Sequence, residues 1–168
     1  MNTAWIGLGA NLGRPKVTLN SALLALDHLP DTQLRLVSEA YWTAPWGVPE
    51  QPEFLNAVAC IRTSIPAHSL LHALLDIEAR LGRERGQQRW GPRMIDLDLL
   101  LVDQQIVDSA ELTLPHPRLH KRAFVLVPLA DLAPELEVPG HGYVRELLDG
   151  LPDDDLAGIR PAGELDWR

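Results

Sequence analysis

The succession of periodicities along this chain predicts an α+β fold. The expected unit is a ferredoxin-like βαββαβ arrangement, an antiparallel sheet with both helices on one face, followed by a C-terminal hairpin and short helices. Three observations carry the prediction. Several segments alternate with period two or run continuously apolar, as strands do. Two leucine-rich segments repeat at helical spacing, and the order is strand, helix, strand, strand, helix, strand. The 168 residues, 46% hydrophobic and 23% charged, suffice for one domain with its own core.

The first strand is read over Thr3–Gly9, where Trp5, Ile6 and Leu8 suit a sheet. Ala10–Arg14 is a Gly/Asn turn, and Pro15 is well placed at the first helical position. Leu19, Ala22, Leu23, Leu26 and Leu29 then give an amphipathic helix over Pro15–Leu29, stopped by Pro30. Gln33–Trp42 returns to period two as a single strand. Thr43–Pro52, with Pro45, Gly47, Pro49 and Pro52, is a loop. Phe54–Thr63 is a strand, and Ser64-Ile65-Pro66 opens a second helix carrying Leu70, Leu71, Leu74, Leu75, Ile77, Glu78 and Leu81 up to Gly82. Met94–Val102 is apolar apart from Asp96 and Asp98 and reads as a central strand. Beyond Asp103 a short hairpin, the segment LPHPRLHKRAFVLVPL and a last helix near Tyr143–Leu148 are expected. One domain over residues 1–150 and a loosely held tail over 151–168 complete the reading.

Composition narrows the classes of function. No run approaches the roughly 18 apolar residues that span a bilayer, and MNTAWIGLGANLG has no basic region ahead of an apolar one. With no membrane segment and no secretory signal, a cytoplasmic protein is expected. The one cysteine, Cys60, excludes an internal disulfide and a cysteine-built zinc cage. Lys+Arg total 15 against 23 Asp+Glu, a net charge of −8. That balance, with no RNP1-like aromatic strand, disfavours an RNA-binding module of the same strand order and any other nucleic-acid partner. Positive charge is nonetheless concentrated: Gly82–Arg93 holds Arg83, Arg85, Arg89 and Arg93 against Glu84 alone. Arginine forks match phosphate oxygens two at a time, so this island suits a small anionic ligand; a solvated loop is the plain alternative.

Asp96 and Asp98 are the sharpest chemical feature. Residues i and i+2 of a strand share a face, so the two carboxylates lie side by side. They can be balanced by divalent magnesium, which takes carboxylate and phosphate oxygen together, or by nearby arginines at an exposed strand end. The preceding arginine island favours metal and phosphate. GLGANLG at Gly7–Gly13 lacks the spacing of a dinucleotide fingerprint and is read as a tight turn. In LTLPHPRLHKRAF, Leu112–Phe124, His116 stands between two prolines and either donates to a phosphate or caps its loop; Arg118, Lys121 and Arg122 follow. The other histidines, His28, His68, His72, His120 and His141, show no metal-ligand spacing and are read as surface or helix-face residues. Cys60, Trp5 and Trp42 are read as packing.

These pieces together resemble the 6-hydroxymethyl-7,8-dihydropterin pyrophosphokinase family. RWGPRMIDLDLLL (Arg89–Leu101) resembles its signature, GLGANLG its first turn, YWTAPWGVPEQPEFLNAV (Tyr41–Val58) its pterin-side loop and strand, and LPHPRLHKRAFVLVPLADLAPEL its Pro-His-Pro segment. The likeness runs from about Thr3 to Leu148 in the same order, so residues 1–150 would be the single pyrophosphokinase domain.

The resemblance implies transfer of pyrophosphate from ATP to the pterin hydroxymethyl group in folate biosynthesis, leaving AMP. A non-catalytic nucleotide-sensing domain on this fold is the alternative. The resemblance also implies that Asp96 and Asp98 hold two Mg²⁺ ions, and that Arg83, Arg85 and Arg93 act catalytically, the first two on a loop closing over ATP. The ATP site would comprise Glu78, Arg83, Arg85, Arg89, Trp90, Arg93, Leu112, Thr113, His116 and Arg122. The pterin would stack between Phe54 and Phe124, with Thr43, Ala44, Trp46, Asn56 and Trp90 around it. The expected species is a monomer, with no fused second enzyme. Ala10, Trp46, Phe54 and Glu111 depart from the family pattern, Glu111 standing where some relatives carry arginine.

Overall fold

The computed structural model describes residues 1–45, 50–82 and 94–168. Its elements are β1 (Asn2–Ala10), α1 (Pro15–Asp27), β2 (Thr32–Val37), β3 (Ala40–Thr43), β4 (Phe54–Thr63), α2 (Ala67–Arg80) and β5 (Asp96–Val102). There follow the hairpin of β6 (Val107–Asp108) and β7 (Thr113–Leu114), a 3₁₀ turn at Leu119–Lys121, α3 (Ala123–Leu132) and the hairpin of β8 (Glu137–Val138) and β9 (Gly142–Tyr143). The chain closes with α4 (Val144–Asp149), α5 (Asp153–Leu156) and β10 (Arg160–Gly163). The main sheet runs β10-β3-β4-β1-β5, with β2 also paired to β4, and its pairings are antiparallel.

The expected βαββαβ unit is therefore present, with β1 at its centre. Alternation along β1 sends Ala4, Ile6, Leu8 and Ala10 under the leucine stripes of α1 (Leu19, Leu23, Leu26) and α2 (Leu70, Leu74, Ile77). Trp5 points the other way, joining Val58, Cys60, Leu100 and Leu101 beneath α3 and α4. Both helices of the unit do share one face, but the later helices cover the opposite face as well. The sequence left α3 unassigned because its run AFVLVPL is apolar all round and contains Pro128. Pro128 forfeits one helical hydrogen bond, and burial of Val125, Leu126 and Leu129 against the sheet offsets that loss.

Two further differences have local causes. The strand expected over Gln33–Trp42 is interrupted at Ser38. There the Ser38 N–H donates to Val58 O at 2.9 Å, and the Val58 N–H donates to Ser38 Oγ at 2.9 Å. A hydroxyl thus takes a place in the ladder that a carbonyl would fill, separating β2 from β3. At the C-terminus, where a loose tail was expected, β10 pairs with β3 and Leu165 is buried in the α1/α2 core. Pro161 and Gly163 resemble strand breakers in sequence. An outer strand tolerates both, however, and Gly163 takes φ +87 at a register shift. Among the described residues, no helix is long and apolar enough to cross a membrane.

Candidate active site

The register of four strands assembles the site on the α3-covered face of the sheet. Directly opposed residues of an antiparallel pair point to the same side. Gly9 lies opposite Asp96 of β5 and opposite Asn56 of β4; Gly7 lies opposite Asp98 and Val58; Tyr41 lies opposite Asn56, and Thr43 opposite Phe54. Asp96 and Asp98 thus stand along one side of β1, with Phe54, Asn56 and Thr43 along the other. Between them β1 presents only glycine, so the strand forms the side-chain-free floor of a trough. At Gly9 this is obligatory, because an added Cβ would sit 2.8 Å from Asn56 Oδ1.

Each wall is held from behind. Asn56, itself buried, donates through Nδ2 to the buried Thr43 Oγ1 at 2.7 Å, fixing both polar groups relative to Phe54. On the opposite wall the Leu97 N–H, between the two aspartates, donates to Glu78 Oε2 at 2.8 Å. Glu78 comes from α2 and is only 3% exposed, so it secures the outer edge of the strand that carries the carboxylates. It thereby braces the wall from the α2 side; the ATP contact that the resemblance implies for Glu78 remains a proposal.

The roof comes from the chain around α3. Arg122, 7% exposed, precedes the helix and places Nη1 3.5 Å from Asp98 Oδ2. Its guanidinium also lies over the Phe124 ring, 5.3 Å from the centroid. Burial lowers the Arg122 pKa, an effect partly offset by Asp98, and the group remains a cation at any working pH. The Tyr41 hydroxyl on β3 donates to the Asp131 carboxylate on α3, tying this roof to the sheet. Burial, followed by the Asp131 contact, raises the pKa of that phenol far above its usual range.

His116 is docked by its own N–H, which donates to Leu100 O at 2.9 Å, while its Nδ1 accepts from the Arg118 N–H at 3.2 Å. The acceptor role of Nδ1 leaves the proton on Nε2. Burial, with Arg122 and Arg118 nearby, pushes the imidazole down to about 4, so at neutral pH it is an uncharged donor and not a poised base. Of the hairpin residues expected at the ATP site, Leu112 is buried in the α1/α2 core and Thr113 is exposed on β7. Glu111 pairs with His72 of α2, which holds its carboxyl below the usual range, and His68 bonds Ser109 at 3.2 Å.

The structure thus brings Thr43, Phe54, Asn56, Asp96, Asp98, Arg122 and Phe124 to one side of the sheet. Ala44 follows Thr43 at the end of β3. Trp46, Arg83, Arg85, Arg89, Trp90 and Arg93 lie outside the described residues. Sequence reasoning missed Asn11, which is buried in the β1–α1 turn. It donates to Gln51 Oε1 and to Pro52 O, both at 2.9 Å, and so tethers the end of the loop that leads into β4. Its place in the GLGANLG turn was the only available signal.

Residues 5–134 match the family model described as 7,8-dihydro-6-hydroxymethylpterin-pyrophosphokinase (HPPK). The chain is 45% identical over 152 residues to the 2-amino-4-hydroxy-6-hydroxymethyldihydropteridine pyrophosphokinase of Pseudomonas aeruginosa, covering 90% of this chain and 93% of that one. It is 40% identical over 161 residues to the enzyme of that name from Haemophilus influenzae, covering 96% of this chain and all of that one (100%). A crystal structure of HPPK-DHPS in complex with substrates superposes with a TM-score of 0.70 at 14% identity. The match covers 89% of this chain and 45% of that longer one, so this chain spans under half of its length, and the likeness shows the fold. With the family model matched over most of its length and relatives at this identity, the chain belongs to the 7,8-dihydro-6-hydroxymethylpterin-pyrophosphokinase family.

Proposed function

We propose that this chain transfers the β,γ-pyrophosphoryl group of ATP to the hydroxymethyl oxygen of 6-hydroxymethyl-7,8-dihydropterin, a step of folate biosynthesis. The observation that carries the reading is the glycine-floored trough. One wall offers an amide, a hydroxyl and an aromatic ring; the other offers two carboxylates beside a buried arginine. A flat heterocycle with a hydrogen-bonding edge fits the first wall, with Asn56 and Thr43 reading the edge and Phe54 and Phe124 meeting the ring faces. A polyphosphate fits the second.

The donor set suits magnesium. Asp96 and Asp98 supply two hard oxygens on one face, and no group of three or more His, Cys, Asp or Glu able to hold a metal occurs among the described residues. Magnesium typically takes one or two carboxylates and completes its shell with water and substrate phosphate. Two Mg²⁺ bound by Asp96 and Asp98 would supply positive charge to the triphosphate and lower the pKa of the attacking hydroxyl. The chain's own contributions are orientation and charge. Asn56, Thr43 and the two phenylalanines aim the hydroxymethyl group across the floor. Arg122 offers a fixed cation, and His116 Nε2–H a neutral donor, to phosphate oxygens. By the family resemblance, Arg83 and Arg85 would close over ATP, Arg89 and Arg93 would bind the nucleotide, and Trp90 would pack at the wall.

The pterin oxygen attacks Pβ, the bond from Pβ to the oxygen bridging to Pα breaks, AMP departs with that oxygen, and the hydroxyl proton goes to solvent. Incubation with ATP, Mg²⁺ and the reduced hydroxymethylpterin should give pterin-dependent AMP and the pterin diphosphate. Formation of ADP, or no turnover by folded protein, would overturn the assignment. The working species is read as a cytoplasmic monomer that engages neither nucleic acid nor membrane.

A further inference from the structure

We propose that Arg160, on the C-terminal strand β10, is a positioning residue for the pterin side of the site. Its guanidinium donates through Nη1 to Glu53 Oε2 at 2.9 Å and through Nη2 to Glu53 Oε1 at 2.9 Å, a two-pronged fork. Glu53 immediately precedes Phe54. The Arg160 backbone is paired with Trp42, which immediately precedes Thr43 and is itself paired with Leu55. A single residue therefore grips both margins of the loop over 44–53, one through the ladder and the other through its side chain. Those margins carry the ring and the hydroxyl assigned to the pterin.

The strand that bears Arg160 is itself anchored. Leu165 is buried in the α1/α2 core, with Ala162 and Trp167 packed against that core, and Lys16 Nζ donates to Ala162 O at 3.4 Å. Without β10, the four-residue β3 would be an outermost strand, free to fray at the end that holds Thr43. The fork is partly solvated, with side-chain exposures of 55% for Arg160 and 41% for Glu53. Its influence is consequently screened by salt. This inference rests on the assignment of Thr43, Phe54 and Asn56 to the pterin.

The test is steady-state kinetics on the full chain for Arg160→Ala, Arg160→Lys, the charge swap Glu53→Arg/Arg160→Glu, and Asn56→Ala as the control for the site itself. Arg160→Ala should raise KM for the pterin by about fivefold, leaving kcat and KM for ATP unchanged. Arg160→Lys, which keeps the charge but loses the fork, should fall between, and the swap should recover most of the loss. At roughly 0.5 M salt, where such pairs are screened, wild type should approach the Ala variant. The proposal is overturned if both KM values move together with a lowered melting temperature, which marks a merely structural strand. Unchanged pterin KM in Arg160→Ala and Arg160→Lys, with Asn56→Ala impaired, overturns this inference alone. Unchanged pterin KM in Asn56→Ala overturns the site assignment and the inference with it.

Discussion

Arg122 and Asp98 stand 3.5 Å apart across the trough, the arginine on the roof and the aspartate on the wall. The pair brings a fixed cation to the carboxylate proposed to hold metal. On the proposed assignment this charge faces the polyphosphate, and substitutions act through that arrangement.

Replacing Asp96 or Asp98 by Ala should lower turnover by roughly a hundredfold or more while the fold is retained, since each is partly exposed and neither belongs to the core. Circular dichroism and Mg²⁺-titrated rates check this. Near-normal magnesium-dependent rates in either variant would remove that residue from the metal site.

Glu78→Ala leaves the buried Leu97 N–H without its carboxylate acceptor and should cost about 1–3 kcal/mol of stability. Glu78→Gln keeps an acceptor oxygen and should recover much of it. Denaturant unfolding measures both, and an Ala variant as stable as wild type would show that β5 does not need this anchor.

Gly9→Ala places a methyl group 2.8 Å from Asn56 Oδ1, forcing the amide away from its place above the floor. Pterin affinity should fall about tenfold, the order expected when a buried recognition hydrogen bond is lost. At Gly7 the added Cβ would meet Leu100 at an ordinary 3.5 Å, so Gly7→Ala should disturb packing far less. Isothermal titration with pterin separates the two; equal losses would refute the Gly9 argument.

His116 is depressed from its ordinary 6.5 to about 4, chiefly by burial. The folded state therefore prefers the neutral ring. The associated stability is complete above 6.5 and is lost as pH falls toward 4, by at most about 3 kcal/mol. Melting curves of wild type and His116→Gln should converge over that window, wild type losing more. Above pH 6 no step in kcat should be traceable to this residue; a step near 6.5 that vanishes in His116→Gln would contradict the donor role.

The sequence was most legible where one element carries a whole pattern. The leucines of α1 and α2 repeat within single helices, the i, i+2 aspartates lie on one strand, and period two marks β1 and β4. The resemblance then named Phe54, Asn56, Phe124 and Arg122 as neighbours without showing how they meet. α3 was illegible because a helix buried on most sides has no polar stripe, and β10 because Pro161 and Gly163 are acceptable only on a strand whose outer edge is free.

The sequence by itself determined the βαββαβ order, the side-by-side carboxylates and the family, because each is written in short-range spacing or in ordered motifs. Only the tertiary structure decided that Gly7 and Gly9 form a floor, that Glu78 serves Leu97, that Asn56 leans on Thr43, and that the C-terminal strand grips Glu53. Those partners lie between about a dozen and a hundred residues apart in the chain. Strand register and side-chain packing bring them together, and neither leaves a periodic trace in the sequence.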